Sequence, residues 1–296
     1  MEKNINNPNT FTRKKPKKRF LALKLSILCL LVLLILPKFH NPLTVTSYSL
    51  YFPKLPSNFD GFKIVLIADL HSYSFGSAQD KLIERILEQA PDVVVLAGDV
   101  IDKRDNEMTN VEALLAGITG MFPIYAVPGN HDYNTTERFN KLFALYREYG
   151  VIFFDGRTVV IEREDQLIAF SSPELKHFTP GDIYSIDKSP TPVHKNEFNI
   201  LMHHFGNEFD LISDEYDLML SGHVHGGLIR LFGKGLINAS IKKSFFPKYS
   251  KGVYRKESGS VMVLSAGLGN AILPRFNNPR EIVAITLTIS ESTSSP

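Results

Sequence analysis

"PIYAVPGNHD", residues 123–132, runs four apolar residues straight into Pro128, Gly129, Asn130, His131 and Asp132. The apolar half reads as a short buried strand and the remainder as a tight turn, for which Pro, Gly and Asn are the ordinary residues. Turn chemistry does not account for His131, and the pattern recurs. Ile64–Ala68 ends in Asp69-Leu70-His71, and Val93–Ala97 ends in Gly98-Asp99. Ile200–Met202 ends in His203-His204, and Leu218–Leu220 ends in Ser221-Gly222-His223-Val224-His225. In open α/β sheets ligands gather outside the carboxyl ends of strands, so these five tips are expected to meet in one place.

Helical patterns separate the first strands. "SAQDKLIERILEQA", residues 77–90, repeats apolar residues at Leu82, Ile83, Ile86 and Leu87. Val111–Gly120 reads as a second helix. Thr135 or Thr136 is placed to cap a third, with a face of Phe139, Leu142, Phe143 and Tyr146. Such alternation predicts parallel strands joined by crossover helices. The second half is richer in strands, expected at Val151–Phe154, Thr158–Ile161, Leu167–Phe170, Ser260–Leu264 and Ile282–Thr288, with spacings that suggest a mixed sheet. One α/β domain with two sheets is the simplest account.

Composition bounds the function. Hydrophobic residues at 44% and charged residues at 22% suit a packed globular chain. Eight of the 33 Lys and Arg stand in residues 1–24 with one acid, Glu2, which leaves 25 bases against 30 acids elsewhere, a net −5. An acidic body is a poor general binder of nucleic acid, and no nucleic-acid partner is expected. The basic tail instead precedes "FLALKLSILCLLVLLIL", residues 20–36, apolar except for Lys24 and Ser26. As a helix it would reach roughly 26 Å, slightly short of a hydrocarbon core of ~30 Å. It reads as an uncleaved single-pass anchor, because "PKFHNPL" offers no small-residue cleavage site for a signal peptide. The cluster Arg13–Arg19 faces only Lys38 behind the run, so the positive-inside bias places the domain outside the cytoplasm. A short helix lying in one leaflet on anionic lipid would leave it inside. The chain thus divides into a basic tail (1–19), an anchor (20–37), a tether with one strand near Val45–Phe52 (38–58) and a main domain (59–290). The single cysteine, Cys29, rules out any disulfide within the chain.

Singly, each Asp or His at a strand end has a dull reading as a cap, a turn or a surface residue. Together, acid, amide and imidazole without thiolate form a ligand set suited to Mn, Fe or Zn. The order D-x-H, G-D-x-x-D, G-N-H-D, a lone His and G-H-x-H, from Phe59 to Leu287, resembles the calcineurin-like metallophosphoesterase superfamily. The resemblance implies a four-layer αββα sandwich of two mixed sheets flanked by helices. It also implies two divalent cations, Mn²⁺ first and Fe or Zn otherwise. One would take Asp69, His71, Asp99 and His225; the other would take Asp99, Asn130, His204 and His223, with Asp99 shared. Two such cations clamp the attacking and leaving oxygens of a phosphoryl group. His131 is by resemblance the general acid or transition-state stabiliser. Asp102 either orients His131 or caps a helix. His204 occupies the family's slot for the lone His, and strand alternation would send His203 to the opposite face. Leu228 stands where the family commonly has Gln, and Ser72-Tyr73 where it has a small residue and Gly.

The branch it looks closest to is membrane-associated, on "NFDGFKIVLIADLH", "SGHVHGG" and "SAGLGN…PRFNNPREI". Residues 229–252 interleave Arg230, Lys234, Lys242, Lys243 and Lys248 with Leu231, Phe232, Phe245, Phe246 and Tyr249. That loop either meets a lipid surface or an amphiphilic phosphoester, or tucks its apolar residues into the core. Arg275 and Arg280 either contact substrate phosphate or form structural salt bridges. The expected activity is hydrolysis of a phosphodiester or pyrophosphate. The expected substrate is lipid-linked, such as the nucleotide-linked lipid UDP-2,3-diacylglucosamine, with membrane lipid as partner. The alternatives are a broad-specificity phosphodiesterase of the envelope and a non-catalytic binding scaffold.

Overall fold

Strand side chains alternate between faces, and in "KIVLI" (Lys63–Ile67) both faces are apolar, so the strand must be covered on both sides. The computed structural model of the chain shows how. It describes residues 24, 26, 27, 39–133, 135–173, 196–237, 245–270 and 273–290. All strands lie in one compact unit, Asn41–Pro296.

The strands, in chain order, are β1 (Leu43–Tyr51), β2 (Lys63–Ile67), β3 (Val93–Ala97), β4 (Ile124–Val127), β5 (Ile152–Phe153), β6 (Thr158–Arg163), β7 (Gln166–Ser171), β8 (Phe198–Phe205) and β9 (Leu218–Gly222). They are followed by β10 (Arg230–Leu231), β11 (Lys234–Gly235), β12 (Gly252–Arg255), β13 (Val261–Leu264) and β14 (Arg280–Thr288). One six-stranded sheet runs β1-β14-β2-β3-β4-β5 and the other β12-β13-β9-β8-β7-β6. Both are mixed: β14 is antiparallel to β2, and β12 and β6 are antiparallel to their neighbours. β2, β3 and β4 run parallel in the first sheet, as do β8 and β9 in the second.

Ile64, Leu66, Val93 and Val95 turn inward and pack with Phe170, Ile200, Leu218 and Val261 from the second sheet in one buried cluster. Val65, Ile67, Val94 and Leu96 turn outward against three helices. These are α1 (Asp80–Leu87), α2 (Thr109–Ile118) and α3 (Thr136–Glu148). Leu82, Ile86, Val111, Leu115, Leu142 and Tyr146 supply their buried faces. Thr135 caps α3, its side chain accepting from the Arg138 backbone N–H.

The outermost layer of the second sheet departs from expectation. Among the described residues Leu201, Met219 and Met262 are covered by Phe209 of the short 3-10 turn Gly206–Leu211, with Ile212, Tyr216 and Tyr249, and by no α-helix. The expected tether also contributes to the sheet itself, because β1 pairs along its whole length with β14. The expected anchor, 20–37, lies outside the described residues except for 24, 26 and 27. Among the described residues no helix is long and apolar enough to cross a membrane.

Candidate metal centre

The strand tips meet because the loops that carry them are laced together through the backbone. The Asp69 N–H donates to the Gly98 carbonyl at 3.0 Å, and the His71 N–H donates to the Asp99 carbonyl at 2.9 Å. Across the sheets, the His223 N–H donates to both Asp69 carboxylate oxygens at 3.0 Å. The His131 N–H donates to Asp99 Oδ1 at 2.7 Å. Asp69, His71, Asp99, His223 and His225 all sit at positive φ, between 47° and 76°. For residues with a Cβ that conformation costs roughly 1–2 kcal/mol each, and five together mark a site the surrounding fold holds in place.

The side chains form two groups. Ligand atoms of Asp69, His71 and His225 lie within 4.8 Å of one another, and so do those of Asp99, His204 and His223. Asp99 Oδ2 stands between them, 3.7 Å from His71 Nε2 and 3.4 Å from His204 Nε2. Within the first group the Nε2 atoms of His71 and His225 face each other at 3.2 Å; within the second, His223 Nδ1 and His204 Nε2 do so at 3.2 Å. Asn130 Oδ1 is buried with no hydrogen-bond partner. Converging imidazole nitrogens, carboxylates and an orphaned amide oxygen fit two divalent cations better than they fit one another.

Electrostatics agree. Burial, against the pull of Asp99, brings His71 down to about 4. Burial and the His204 charge bring His223 down to about 3, and burial with His71 and Arg275 holds His225 far below the ordinary range. These rings are neutral and offer lone pairs. Burial raises Asp69 to about 7. At Asp99 burial is overcome by His204, His131 and His71, so the carboxylate stays charged. At His204 burial is likewise overcome, by Asp99 and Asp69, and the ring stands at about 9.

His204 and His203 part company at a bulge between Met202 and Phe205, inside a strand longer than the sequence suggests. His204 turns to the site, with Nδ1 2.8 Å from the Ala97 carbonyl oxygen. His203 turns away and pairs with buried Glu208 at 2.7 Å. His131 lies with its ring edge-on to His71, centroids 4.5 Å apart. Asp102 shares a group with His71 and His131 within 4.8 Å, but its hydrogen bonds go to Arg104, from Nε at 2.8 Å and from Nη2 at 3.2 Å.

Arg275, open to a substrate-phosphate contact or a structural salt bridge, is 2% exposed. It donates to the carbonyls of Gly269 and Ala266, each at 2.8 Å, with Nη2 3.4 Å from His225 Nδ1. Arg280 stacks on Tyr73 at 3.8 Å and donates to the Leu268 carbonyl at 2.5 Å. Neither arginine forms an ion pair among those the structure describes.

Two features escape sequence reasoning. Asp132 is fully buried; its Oδ1 accepts from the N–H of Val100 at 2.9 Å and Ile101 at 3.1 Å, and its Oδ2 from that of Gly129 at 2.8 Å. It ties the Asp99 loop to the Asn130 loop, and the only signal for it was its place in "GNHD". Gly129 is required by close approach, since a Cβ there would lie 2.2 Å from Asp99 Oδ1. Beside the site an open cleft of about 490 Å³ is lined by His71, Asp102, Arg104, Asn110 and Asn270 among others.

The paired His/Asp groups at the strand ends of this two-sheet α/β fold suit a dinuclear metal site. Residues 62–227 match the calcineurin-like phosphoesterase family, and the chain belongs to it. It is 31% identical over 258 residues to metallophosphoesterase YkuE of Bacillus subtilis, covering 82% of this chain and 84% of the relative. It is 29% identical over 177 residues to phosphodiesterase YaeI of Escherichia coli, covering 57% of this chain and 63% of that one. A dimetal phosphatase from Danio rerio superposes with a TM-score of 0.46 at 14% identity, over 77% of this chain and 93% of that one. The protein is a hydrolase of phosphoester bonds.

Proposed function

We propose that the protein hydrolyses a phosphodiester or pyrophosphate in a lipid-linked or membrane-proximal substrate such as UDP-2,3-diacylglucosamine. The observation that carries the reading is Asp99, whose carboxylate stands between two His/Asp groups and also receives the backbone N–H of His131. Asp69, His71, Asp99 and His225 would hold one divalent cation, and Asp99, Asn130, His204 and His223 the other. Mn²⁺ is the first candidate, and Fe or Zn the alternatives. When bound, such a pair neutralises phosphoryl oxygens and aligns nucleophile with leaving group. Asn130 adds no charge, which leaves the pair electrophilic.

His131 follows Asn130 directly, and the short bond from its N–H to Asp99 fixes its backbone relative to both groups. Its ring stands at the boundary between the buried site and the cleft, within reach of Asp102. There it donates a proton to the departing oxygen, with Asp102 holding the ring in place. The cleft holds Arg104, 80% exposed at its side chain and clamped by Asp102, as a group to meet the substrate's anionic remainder. The apolar run 20–36 and the phosphodiesterase name of one relative support a lipid-borne diester or pyrophosphate.

The test is hydrolysis of bis(p-nitrophenyl) phosphate with Mn²⁺, wild type against His131→Ala. The variant should keep its metals and lose activity by roughly 100- to 10,000-fold. Equal activity, or no activity in the wild type with metals bound, removes the reading. Release of UMP from UDP-2,3-diacylglucosamine tests the particular substrate.

A further inference from the structure

The three most exposed large apolar side chains among the described residues are Phe232 at 100%, Phe245 at 74% and Phe246 at 71%. All three belong to one small structure. β10 and β11 form a two-residue ribbon with Phe232 at its turn. Ile237, just beyond β11, bridges Phe245, and the Phe246 N–H donates to the Leu236 carbonyl at 2.9 Å. Leu231 and Leu273 are also exposed. Phe276, in an isolated bridge to Ile229, joins the ribbon to the segment that holds Arg275. The ribbon is built directly on the metal-site loop, because the Leu236 N–H donates to the Gly227 carbonyl, two residues past His225.

Among the described residues no hydrophobic core cluster takes in these side chains. Phe232 adopts φ +51°, a turn conformation that Gly, Asn or Asp takes with little strain and an aromatic residue does not. A bulky apolar residue kept in water in a strained conformation is retained for something other than stability. Charge indicates the occupant. Residues 229–252 carry Arg230, Lys234, Lys242, Lys243, Lys248 and Lys251 and no Asp or Glu, in a body whose net charge is otherwise negative. Lys248 and Lys251 pair with Asp210 and Glu281, whereas Lys234 is exposed in the ribbon beside Phe232. Protruding aromatics inside an acid-free basic segment match an anionic bilayer, where rings enter the headgroup boundary and lysines meet lipid phosphate.

We propose that the β10–β11 ribbon, with Phe232 at its tip and Phe245 and Phe246 beside it, inserts into the interface of an anionic lipid membrane. The ribbon is a second contact, inside the catalytic unit and separate from residues 20–37. It rests on the reading of the site as one that takes a membrane-borne phosphoester, since insertion would set the metal-site loop against the lipid surface. The strand tips then face the bilayer, while the amino ends of β2, β3 and β4 face water.

The chain contains no Trp, so one introduced residue reports alone. Phe232→Trp in the full chain is reconstituted into vesicles of phosphatidylcholine and phosphatidylglycerol in equal parts, with bromine on the acyl chains. Met121→Trp, 57% exposed before the amino end of β4, is the control. Trp at 232 should shift to shorter wavelength and lose most of its emission, less so at high salt, while Trp at 121 stays unquenched. An unshifted, unquenched Trp at 232 overturns the proposal. So does equal quenching at both positions, or a blue shift in buffer that grows with protein concentration, which would mean a second copy covers the ribbon. Equal quenching in phosphatidylcholine alone overturns the anionic assignment. Hydrolysis of bis(p-nitrophenyl) phosphate by Phe232→Trp is measured alongside. Its retention without quenching rejects the ribbon alone, and quenching without any hydrolysis in the wild type rejects only the enzymatic reading.

Discussion

Asp132→Asn is the substitution whose effect the structure defines most closely. The carboxylate is fully buried and accepts three backbone N–H groups, from Val100, Ile101 and Gly129. Asn keeps the shape and one acceptor oxygen, so the bonds from Val100 and Ile101 can persist. Its NH₂ then faces the Gly129 N–H, donor against donor. One buried donor left unpaired costs about 1–3 kcal/mol. For a domain of this size that lowers Tm by roughly 2–12 °C, at about 2–4 °C per kcal/mol. Asp132→Ala orphans all three donors and should lose about 3–5 kcal/mol once the loops relax and admit water. The effect should extend beyond stability. The bond to Gly129 sets the Asn130 loop against the Asp99 loop, so metal affinity measured by competition with a chelator should fall about 10- to 100-fold, as for other residues that orient ligands from behind. Thermal unfolding with and without Mn²⁺, together with the chelator titration, separates the two losses. A variant that melts with the wild type and holds metal as tightly would show that this carboxylate does not join the two loops.

His204→Ala should abolish metal binding in its group, whereas His203→Ala should retain the metals and lose stability, because His203 turns away to Glu208; elemental analysis showing the reverse would exchange their roles. Gly129→Ala forces a Cβ against the Asp99 carboxylate and should cost metal occupancy and activity together, while circular dichroism keeps its native spectrum. Metal loading should release a proton from His204, which Asp99 and Asp69, outweighing burial, hold at about 9. His71 and His223, drawn down to about 4 and about 3 mainly by burial, should release none near neutrality. Asp69, raised by burial to about 7, should release a second proton below that pH. Affinity should therefore rise about tenfold per pH unit between about pH 7 and about pH 9 and more steeply below, and calorimetry in buffers of different ionisation enthalpy should count the protons. A flat affinity across neutral pH would contradict the assignment.

Much of the site was legible because its signals are local. Strand alternation, turn residues and the identity of the side chain at each tip are properties of a few consecutive residues. They placed Asp69, His71, Asp99, Asn130, His204, His223 and His225 at the ends of apolar runs. The structure brings the Asp and His residues of that set into two groups around Asp99, and leaves the Asn130 amide oxygen buried and unpartnered. The fold was legible down to its two mixed sheets, and the helical cover of the second sheet was not found among the described residues. Residues whose work depends on distant partners were left open or unread. Arg275 was open to a phosphate contact or a structural salt bridge, and the loop at 266–269 encloses it. Asp102 was open to orienting His131 or capping a helix; it stands in one group with His71 and His131 and accepts from Arg104. The aromatic residues of 229–252 were open to two readings, and the structure leaves Phe232, Phe245 and Phe246 in water while burying Tyr249.

What the sequence determined alone was an inventory: acids, amides and imidazoles at the carboxyl ends of strands, with no thiolate among them. The tertiary structure decided which of them face one another. Asp69 and His223 are 154 residues apart and share two hydrogen bonds; Asp132 reaches Val100 across 32. Periodicity tells which face of a strand a residue occupies. It carries no information about which other strand end lies opposite, because that is set by the packing of two sheets whose contacts no short stretch of chain contains.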